Sequence, residues 1–243
     1  GKTVLDFTQY LAGPTATRLM AELGADVIKV EQATGGDPSR TLPFVKNDRS
    51  IYFIQQNRGK KSLCLDFKNP DGIDQLRALI PKVDVVIENY GPGGMERRGL
   101  DYASLKQINP KIIMCSISAF GRKGPLSHLT GYDYIAQGYS GIMHMTGDPD
   151  GPPRFVGVAI ADGIAGVSAF GASVAVWFLG PVNIDPLNSQ EILQTREKMS
   201  RVKHLSSIGG IMLLKILSFD MLECKIQLLS MDKLADGGPG DLG

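Results

Sequence analysis

The sequence is poor in the residues from which metal sites, disulfide frameworks and hydrolytic triads are built. Its 243 residues include three cysteines and three histidines. Cys64, Cys115 and Cys224 are odd in number and widely spaced, with no CxxC pair and no His–Cys cluster. That pattern argues against a zinc site and against a disulfide scaffold. Cys64 and Cys115 lie in apolar runs of strand character, so buried thiols are expected at both. His128 and His144 are the only histidines before the C-terminal region, and no GxSxG stands anywhere, which argues against a hydrolase triad. Charge of one sign is also lacking: 26 basic residues face 25 acidic ones, a net charge of +1. Composition therefore calls for no nucleic acid or other polyanion, although scattered Lys and Arg suit a small anionic ligand.

Long hydrophobic runs are nearly absent. The exception is Gly163 to Gly180, which carries no charge. A membrane span needs about 20 predominantly apolar residues. This run is mostly Gly, Ala and Ser and has no basic flank, so a closely packed internal helix is expected and no membrane partner. No signal-peptide pattern opens the chain. The expected location is cytoplasmic, with a mitochondrial one, its presequence trimmed, as the alternative.

What is present is an ordinary soluble composition, 43% hydrophobic and 21% charged, at a length that supports a large core. Val4–Phe7 reads as a strand. Gly13-Pro14 opens a helix with Leu19, Met20 and Leu23 on one face and Gly24 as its stop. Ala25–Glu31 is the next strand. Gln32–Asp48 reads as a loop, Ser62–Phe67 as a strand, and Pro70–Ile80 as a helix. Asp84–Asn89 is a strand, Tyr102–Ile108 a short helix, and Lys111–Ser118 a strand. Strands with Val/Ile cores separated by helices imply a doubly wound α/β layer over residues 1–120. Residues 121–157 read as a long functional loop region with a helix at Tyr134–Tyr139. The small-residue helix follows.

Four segments carry chemistry. Leu5–Pro14 is a strand, a turn and a helix start, where backbone N–H groups attract anions; the alternative is a structural βα turn. Asn57–Ser62 contains Arg58, Lys60 and Lys61; it reads as a solvated basic loop or as a phosphate contact. Glu88–Leu100 is a glycine-rich loop directly after a strand, in which Tyr90 or Met95 is placed to cover an adenine ring; the alternative is a flexible turn. Asp162 stands at the start of the small-residue helix. It reads as an N-cap, or as an ionised carboxylate acting as a covalent nucleophile.

In family order, over about residues 3–178, several stretches resemble family III coenzyme A transferases. They are VLDFTQYLAGPTATR (from Val4), GADVIKVE (from Gly24), GGDPSR (from Gly35), YFIQQNRGKKSLCL (from Tyr52), VIENYGPGGMERRG (from Val86), NPKIIMCSISAFGRKG (from Asn109), GYDYIAQ (from Gly131) and GPPRFVGVAIADGIAG (from Gly151). The resemblance implies a Rossmann-like doubly wound parallel sheet, incomplete relative to the family's large domain. Residues 1–180 form the N-terminal α/β region; residues 181–243 are a tail that matches nothing in the family and reads as foreign to it. It also implies an acyl-CoA and a carboxylic acid as partners, with CoA as a substrate and no prosthetic group or metal. Asp162 matches the family's catalytic aspartate, Ala12 a position near the reacting thioester, Leu65 and Lys68 the adenosine end, and Asn89, Tyr90, Arg97 and Arg98 the CoA groove. The implied reaction is CoA transfer through an aspartyl-CoA thioester. The related 2-methylacyl-CoA racemases use a His–Asp pair in a Gly-His-Asp segment that reads Gly131-Tyr132-Asp133 here, and a tyrosine is a poor base at neutral pH. A non-catalytic fragment is the remaining alternative. Gln9 and Leu11 in the first turn depart from the formyl-CoA transferase pattern, so a larger or more apolar acid is expected. A family-type interlocked homodimer is implied, subject to the unmatched tail.

Overall fold

The computed structural model describes residues 1–179 and 222–224. In chain order the strands and helices are β1 (Thr3–Asp6), α1 (Ala12–Glu22), β2 (Asp26–Gln32), β3 (Val45–Lys46), β4 (Arg49–Ser50), α2 (Ile51–Asn57), β5 (Lys61–Leu65), α3 (Pro70–Leu79), β6 (Val85–Glu88), α4 (Tyr102–Ile108), β7 (Ile113–Ile117), α5 (Asp133–Tyr139), α6 (Ile160–Leu179) and β8 (Leu222–Cys224). The main sheet has the order β5-β2-β1-β6-β7-β8. Its first five strands are parallel, and β8 runs antiparallel to β7. The rest of the tail reading, residues 180–221 and 225–243, lies outside the described residues.

The period-2 alternation of the strands splits the core into two layers. Val4, Val85 and Ile87 face Ala12, Ala16 and Met20 of α1 and Ala165, Ala169 and Ala172 of α6. Leu5, Val86 and Met114 face Leu76 of α3, Leu105 of α4 and the side chains of Phe67 and Met95. Every residue of β6 is buried, as expected for a central strand covered on both faces.

Local signals stop and start these helices. Ser50, Asn69 and Asp101 each cap the following helix by accepting backbone N–H bonds from Phe53, Asp71, and Ala103 with Ser104. Gly24, at φ +91°, ends α1 in a left-handed conformation open to glycine at no steric cost.

Several expectations need correction. The loop at Gln32–Asp48 contains a 3-10 turn at Pro38–Thr41 and leads into the two-stranded β3–β4 ribbon, and helix α2 follows it. Leu23 is 76% exposed: α1 ends at Glu22, and Leu23 is the C-cap beyond the buried Met20. Cys64 is exposed while Cys115 is buried. The difference is position: β5 is an edge strand, and β7 is a neighbour of the central β6. Helix α6 is internal on one side only. Its Ala165, Ser168, Ala169, Ala172 and Ser173 are buried, whereas Val167 and Phe178 stand at 53% and 82% exposure. By length and composition alone, Ile160–Phe178 is apolar enough to cross a bilayer, but it packs on α1. Gly166 makes that approach possible, since a Cβ there would stand 2.5 Å from the carbonyl oxygen of Ala12.

Candidate functional site

The strand order reverses between β1 and β6, and in such sheets the crevice beyond the strand ends is where ligands sit. The turn after β1 is densely hydrogen-bonded. Asp6 is fully buried; its Oδ1 accepts from the backbone N–H (2.8 Å) and hydroxyl (2.5 Å) of Thr8, and its Oδ2 accepts from Thr17 (2.8 Å) and from Lys60 Nζ (3.0 Å). Lys60 also donates to Thr17 Oγ1, Asn57 Oδ1 and the Pro14 carbonyl. Burial pushes the Asp6 carboxyl up, but Lys60, Lys29 and Thr8 outweigh it and hold the pKa at about 2. Burial draws Lys60 down to about 8 against the attraction of Asp6, so both partners are charged at pH 7. Lys29 Nζ donates to the Thr8 carbonyl (2.6 Å) and pairs with Asp37 (2.9 Å). Asp37 also accepts from Tyr10 N–H at 3.3 Å, and Tyr10 stands at φ +63°, a left-handed conformation that costs a non-glycine residue about 1–2 kcal/mol.

In the basic segment at Asn57–Ser62 the solvated reading holds for Arg58 and Lys61, which are exposed, and fails for Lys60. Lys60 is a core cation under the first turn; Arg58 pairs with Glu22 and Lys61 with Asp26.

Across the switch point the β1 and β6 loops are tied together. Asn89 Nδ2 donates to the Gln9 carbonyl and its Oδ1 accepts from Gln9 N–H, both at 2.8 Å. The glycine-rich loop is shaped, not flexible. Buried Glu88 accepts from Tyr90 N–H and is clasped by Arg122, which also holds Glu96 at 2.5 Å. Met95 is 1% exposed and belongs to the core, so it is not placed to cover a ligand ring. Below this loop lies a cavity of about 460 Å³ lined by Phe67, Lys68, Pro70, Ile73, Asp74, Arg77, Arg97 and Arg98. Four cations against one carboxylate make it a strongly anion-seeking pocket. The Arg98 guanidinium sits 5.4 Å from the Phe67 ring centre and 5.3 Å from that of Tyr90.

On the other face, Asp162 lies in the first turn of α6. It is not the cap of that helix. The Ala161 and Asp162 N–H groups donate instead to Asp133 Oδ1 at 2.8 and 3.1 Å. Burial, with the neighbouring Asp133 charge second, pushes the Asp162 carboxyl up to about 6. At pH 7 it is still about nine-tenths ionised. Tyr52 on α2 is pushed up to about 12, first by burial and then by Asp162 and Asp37, and so presents a neutral hydroxyl. Among the described residues no Lys, Arg or His pairs with Asp162.

A polar switch-point crevice, a cationic pocket and a half-buried carboxylate at a helix start agree with the comparisons. Residues 1–178 match the family described as CoA-transferase family III. The chain belongs to this family. It is 47% identical over 184 residues to a succinate–glutarate CoA-transferase of Agrobacterium fabrum, covering 72% of this chain and 46% of that protein. It is 43% identical over 171 residues to an acetyl-CoA:oxalate CoA-transferase of Acetobacter aceti, covering 70% of this chain and 44% of that protein. The crystal structure of a CaiB/BaiF family protein from Brucella suis superposes with a TM-score of 0.70 at 42% identity, covering 74% of this chain and 48% of the other. The chain thus spans less than half the length of these relatives.

Among the positions that the family III resemblance marks, Lys68, Arg97 and Arg98 meet in the cationic pocket. Tyr90 stacks behind Arg98. Leu65 closes β5 and packs, half-buried, against the core beside that pocket. Asn89 sits between the two faces with its amide committed to Gln9. Ala12 begins α1 beside Gly166, one helical turn along α6 from Asp162. Asp133, Gln137, Tyr52 and Arg77 were not marked by sequence reasoning as site residues. Asp133 and Gln137 lie in the family-like GYDYIAQ segment and Tyr52 opens YFIQQNRGKKSLCL, but only the Gly131-Tyr132-Asp133 positions carry a chemical reading there. Tyr132 itself is 70% exposed, its ring edge-on to Tyr10 at 6.1 Å.

Proposed function

We propose that this chain carries the CoA-binding groove and the nucleophile of a CoA transferase, moving CoA from an acyl-CoA to a free carboxylic acid. The observation that carries the reading is the state of Asp162. It is a half-buried carboxylate that makes no cap, pairs with no described cation and is pushed up to about 6, yet is mostly ionised at neutral pH. Such a group is a better nucleophile than a solvated aspartate and remains available for attack.

The Asp162 carboxylate attacks the acyl carbon of the thioester, and the C–S bond breaks to give an acyl–aspartyl anhydride and CoA thiolate. The thiolate attacks Asp162 Cγ, releasing the donor acid as its carboxylate and leaving an aspartyl-CoA thioester. The acceptor carboxylate attacks the same carbon, expelling thiolate and forming a second anhydride. Thiolate then attacks the acceptor acyl carbon, giving the new acyl-CoA and the free Asp162 carboxylate. No net proton is consumed, so the reaction needs no histidine as acid or base. The N–H groups that open α6 are already bonded, to Asp133 and to the Val158 and Ala159 carbonyls, so the backbone N–H groups at the start of α1 are the donors proposed for developing oxyanions. Lys68, Arg97 and Arg98, with Arg77, supply charge for CoA phosphates, and the Asn89–Gln9 clasp leads from that pocket toward Ala12 and Asp162. The names of the relatives favour short dicarboxylic acids such as succinate, glutarate or oxalate as donor and acceptor.

The test is incubation of the 243-residue chain with succinyl-CoA followed by peptide mass spectrometry. A CoA thioester on the peptide containing Asp162, absent in Asp162→Ala, is expected. CoA binding without any adduct on that peptide overturns the reading. Solvent deuterium entering the α-carbon of a 2-methylacyl-CoA, with no acceptor acid present, would establish racemisation instead.

A further inference from the structure

We propose that Asp133 is the positioning residue of this site: it caps helix α6 from outside the helix, so that the Asp162 side chain is left uncommitted in the first turn. The inference rests on the assignment of Asp162 as the nucleophile.

Helix α6 has no acceptor of its own at its start. The residue before it is Ala159, and its first two residues are Ile160 and Ala161. In most helices a Ser, Thr, Asp or Asn side chain at the cap accepts the N–H bonds of the second and third helical residues. Here those two residues are Ala161 and Asp162, and both donate to one oxygen of Asp133. Asp133 is the first residue of α5 and is 6% exposed. Its other oxygen accepts from Gln137 Nε2 at 2.5 Å. Gln137 is fully buried, and its amide is locked in turn: Nε2 also donates to the Val158 carbonyl, and Oε1 accepts from Val156 N–H at 2.8 Å. One turn of α5 therefore fixes both the approach segment 156–158 and the first turn of α6.

Two consequences follow for Asp162. An aspartate at the third position of an uncapped helix turns its own carboxylate back toward the free N–H groups; with those donors occupied, it has no local partner to hold it. Asp133 also brings a second carboxylate toward the first. The titratable groups facing Asp162 are Asp133 from α5 and Tyr52 from α2; burial raises the Asp162 pKa most, and the Asp133 charge adds to it. The capping carboxylate thereby makes the nucleophile more basic without hydrogen-bonding to it.

The experiment compares Asp133→Ala and Asp133→Asn in the 243-residue chain. Native-state hydrogen exchange reads the Ala161 and Asp162 amides; 13Cγ NMR reads the titration of Asp162. In Asp133→Ala the two amides are expected to lose about tenfold or more of their protection, the loss of roughly one hydrogen bond. Asp133→Asn keeps one acceptor oxygen for the two amides while losing the acceptor for Gln137 Nε2, and is expected to restore most of that protection. Both variants should lower the Asp162 midpoint by about one pH unit, because the like charge is gone. Unchanged protection in Asp133→Ala, or an unchanged midpoint in folded Asp133→Asn, overturns the proposal. If Asp133→Ala does not fold, the Asp133→Asn midpoint decides alone. Neither readout involves an acyl-CoA. A chain with these shifts but no thioester adduct would therefore sink the CoA-transfer reading and leave the capping role standing.

Discussion

The Lys60→Met substitution probes whether the first βα turn is held by its buried ion pair. The Lys60 side chain is 1% exposed and that of Asp6 fully buried, and the lysine Nζ bonds to Asp6, Thr17, Asn57 and the Pro14 carbonyl. Methionine fills much of the same volume but removes every one of those bonds. Asp6 keeps Thr8 and Thr17 as donors and Lys29 at longer range. Removing one partner of a buried pair costs about 3–5 kcal/mol, and the apolar burial of methionine returns about 1 kcal/mol of that. A loss of about 3 kcal/mol is expected, or about 6–12 °C in melting temperature for a domain of this size. Urea unfolding at pH 7, followed by circular dichroism, measures it. In a double-mutant cycle with Asp6→Asn, the coupling should reach about 2 kcal/mol, since the residues share one network. A loss below about 1 kcal/mol, or an additive cycle, refutes the role assigned to the pair. The acid limb provides a second check. The folded pKa of Asp6, about 2, lies below its ordinary value of 3.8. Its contribution, about 2 kcal/mol, is fully present above pH 4 and is lost as pH falls through 4 toward 2. The Lys60→Met variant should show a shallower acid limb than the parent chain.

Other consequences are open to measurement. Asp162 is raised to about 6 from 3.8 on folding, so its ionisation opposes folding: the penalty is absent below pH 3.8 and complete above pH 6. Asp162→Asn should therefore stabilise the chain by about 1–3 kcal/mol at pH 7 and by nothing at pH 3.5, while abolishing the thioester adduct; thermal melts at the two pH values check it. Gly166→Ala places a methyl 2.5 Å from the Ala12 carbonyl oxygen and 2.6 Å from Thr15 Cβ. It should destabilise by about 1–3 kcal/mol through overpacking, seen as a lower urea midpoint. Arg97→Ala and Lys68→Ala should each weaken CoA binding about tenfold or more, through loss of a charge-assisted phosphate contact. Isothermal titration should show that effect shrinking as salt is raised.

How much of this was legible in the sequence depends on whether the deciding interaction is local. The five parallel strands of the main sheet, helix α3 and the short helix Tyr102–Ile108 followed from apolar patterning and from Pro70, signals within a few residues of what they control. The caps Asn69 and Asp101 are equally local but were not read, and β8 was not expected. The β3–β4 ribbon and α2 were not legible: each ribbon strand is two residues long, and the apolar run that opens α2, Ile51 to Ile54, is too short to show a helical period. Cys64 was misjudged because an apolar strand looks the same at an edge as in the centre; the edge is set by strand order. Lys60 was misjudged because three cations in four positions suggest solvent, whereas Asp6, 54 residues away in sequence, draws one of them into the core.

The ordered segments from Val4 to Gly166 were enough, by themselves, to determine the family, the parallel α/β layer and the candidacy of Asp162, because spacing along a strand–turn–helix is a local property. Tertiary structure alone decided what Asp162 is free to do. A helix start must satisfy its N–H groups, and the sequence around Asp162 allows that residue to be the cap. The cap comes instead from Asp133 on another helix, 28 residues from Ala161, and only packing brings that carboxylate into place.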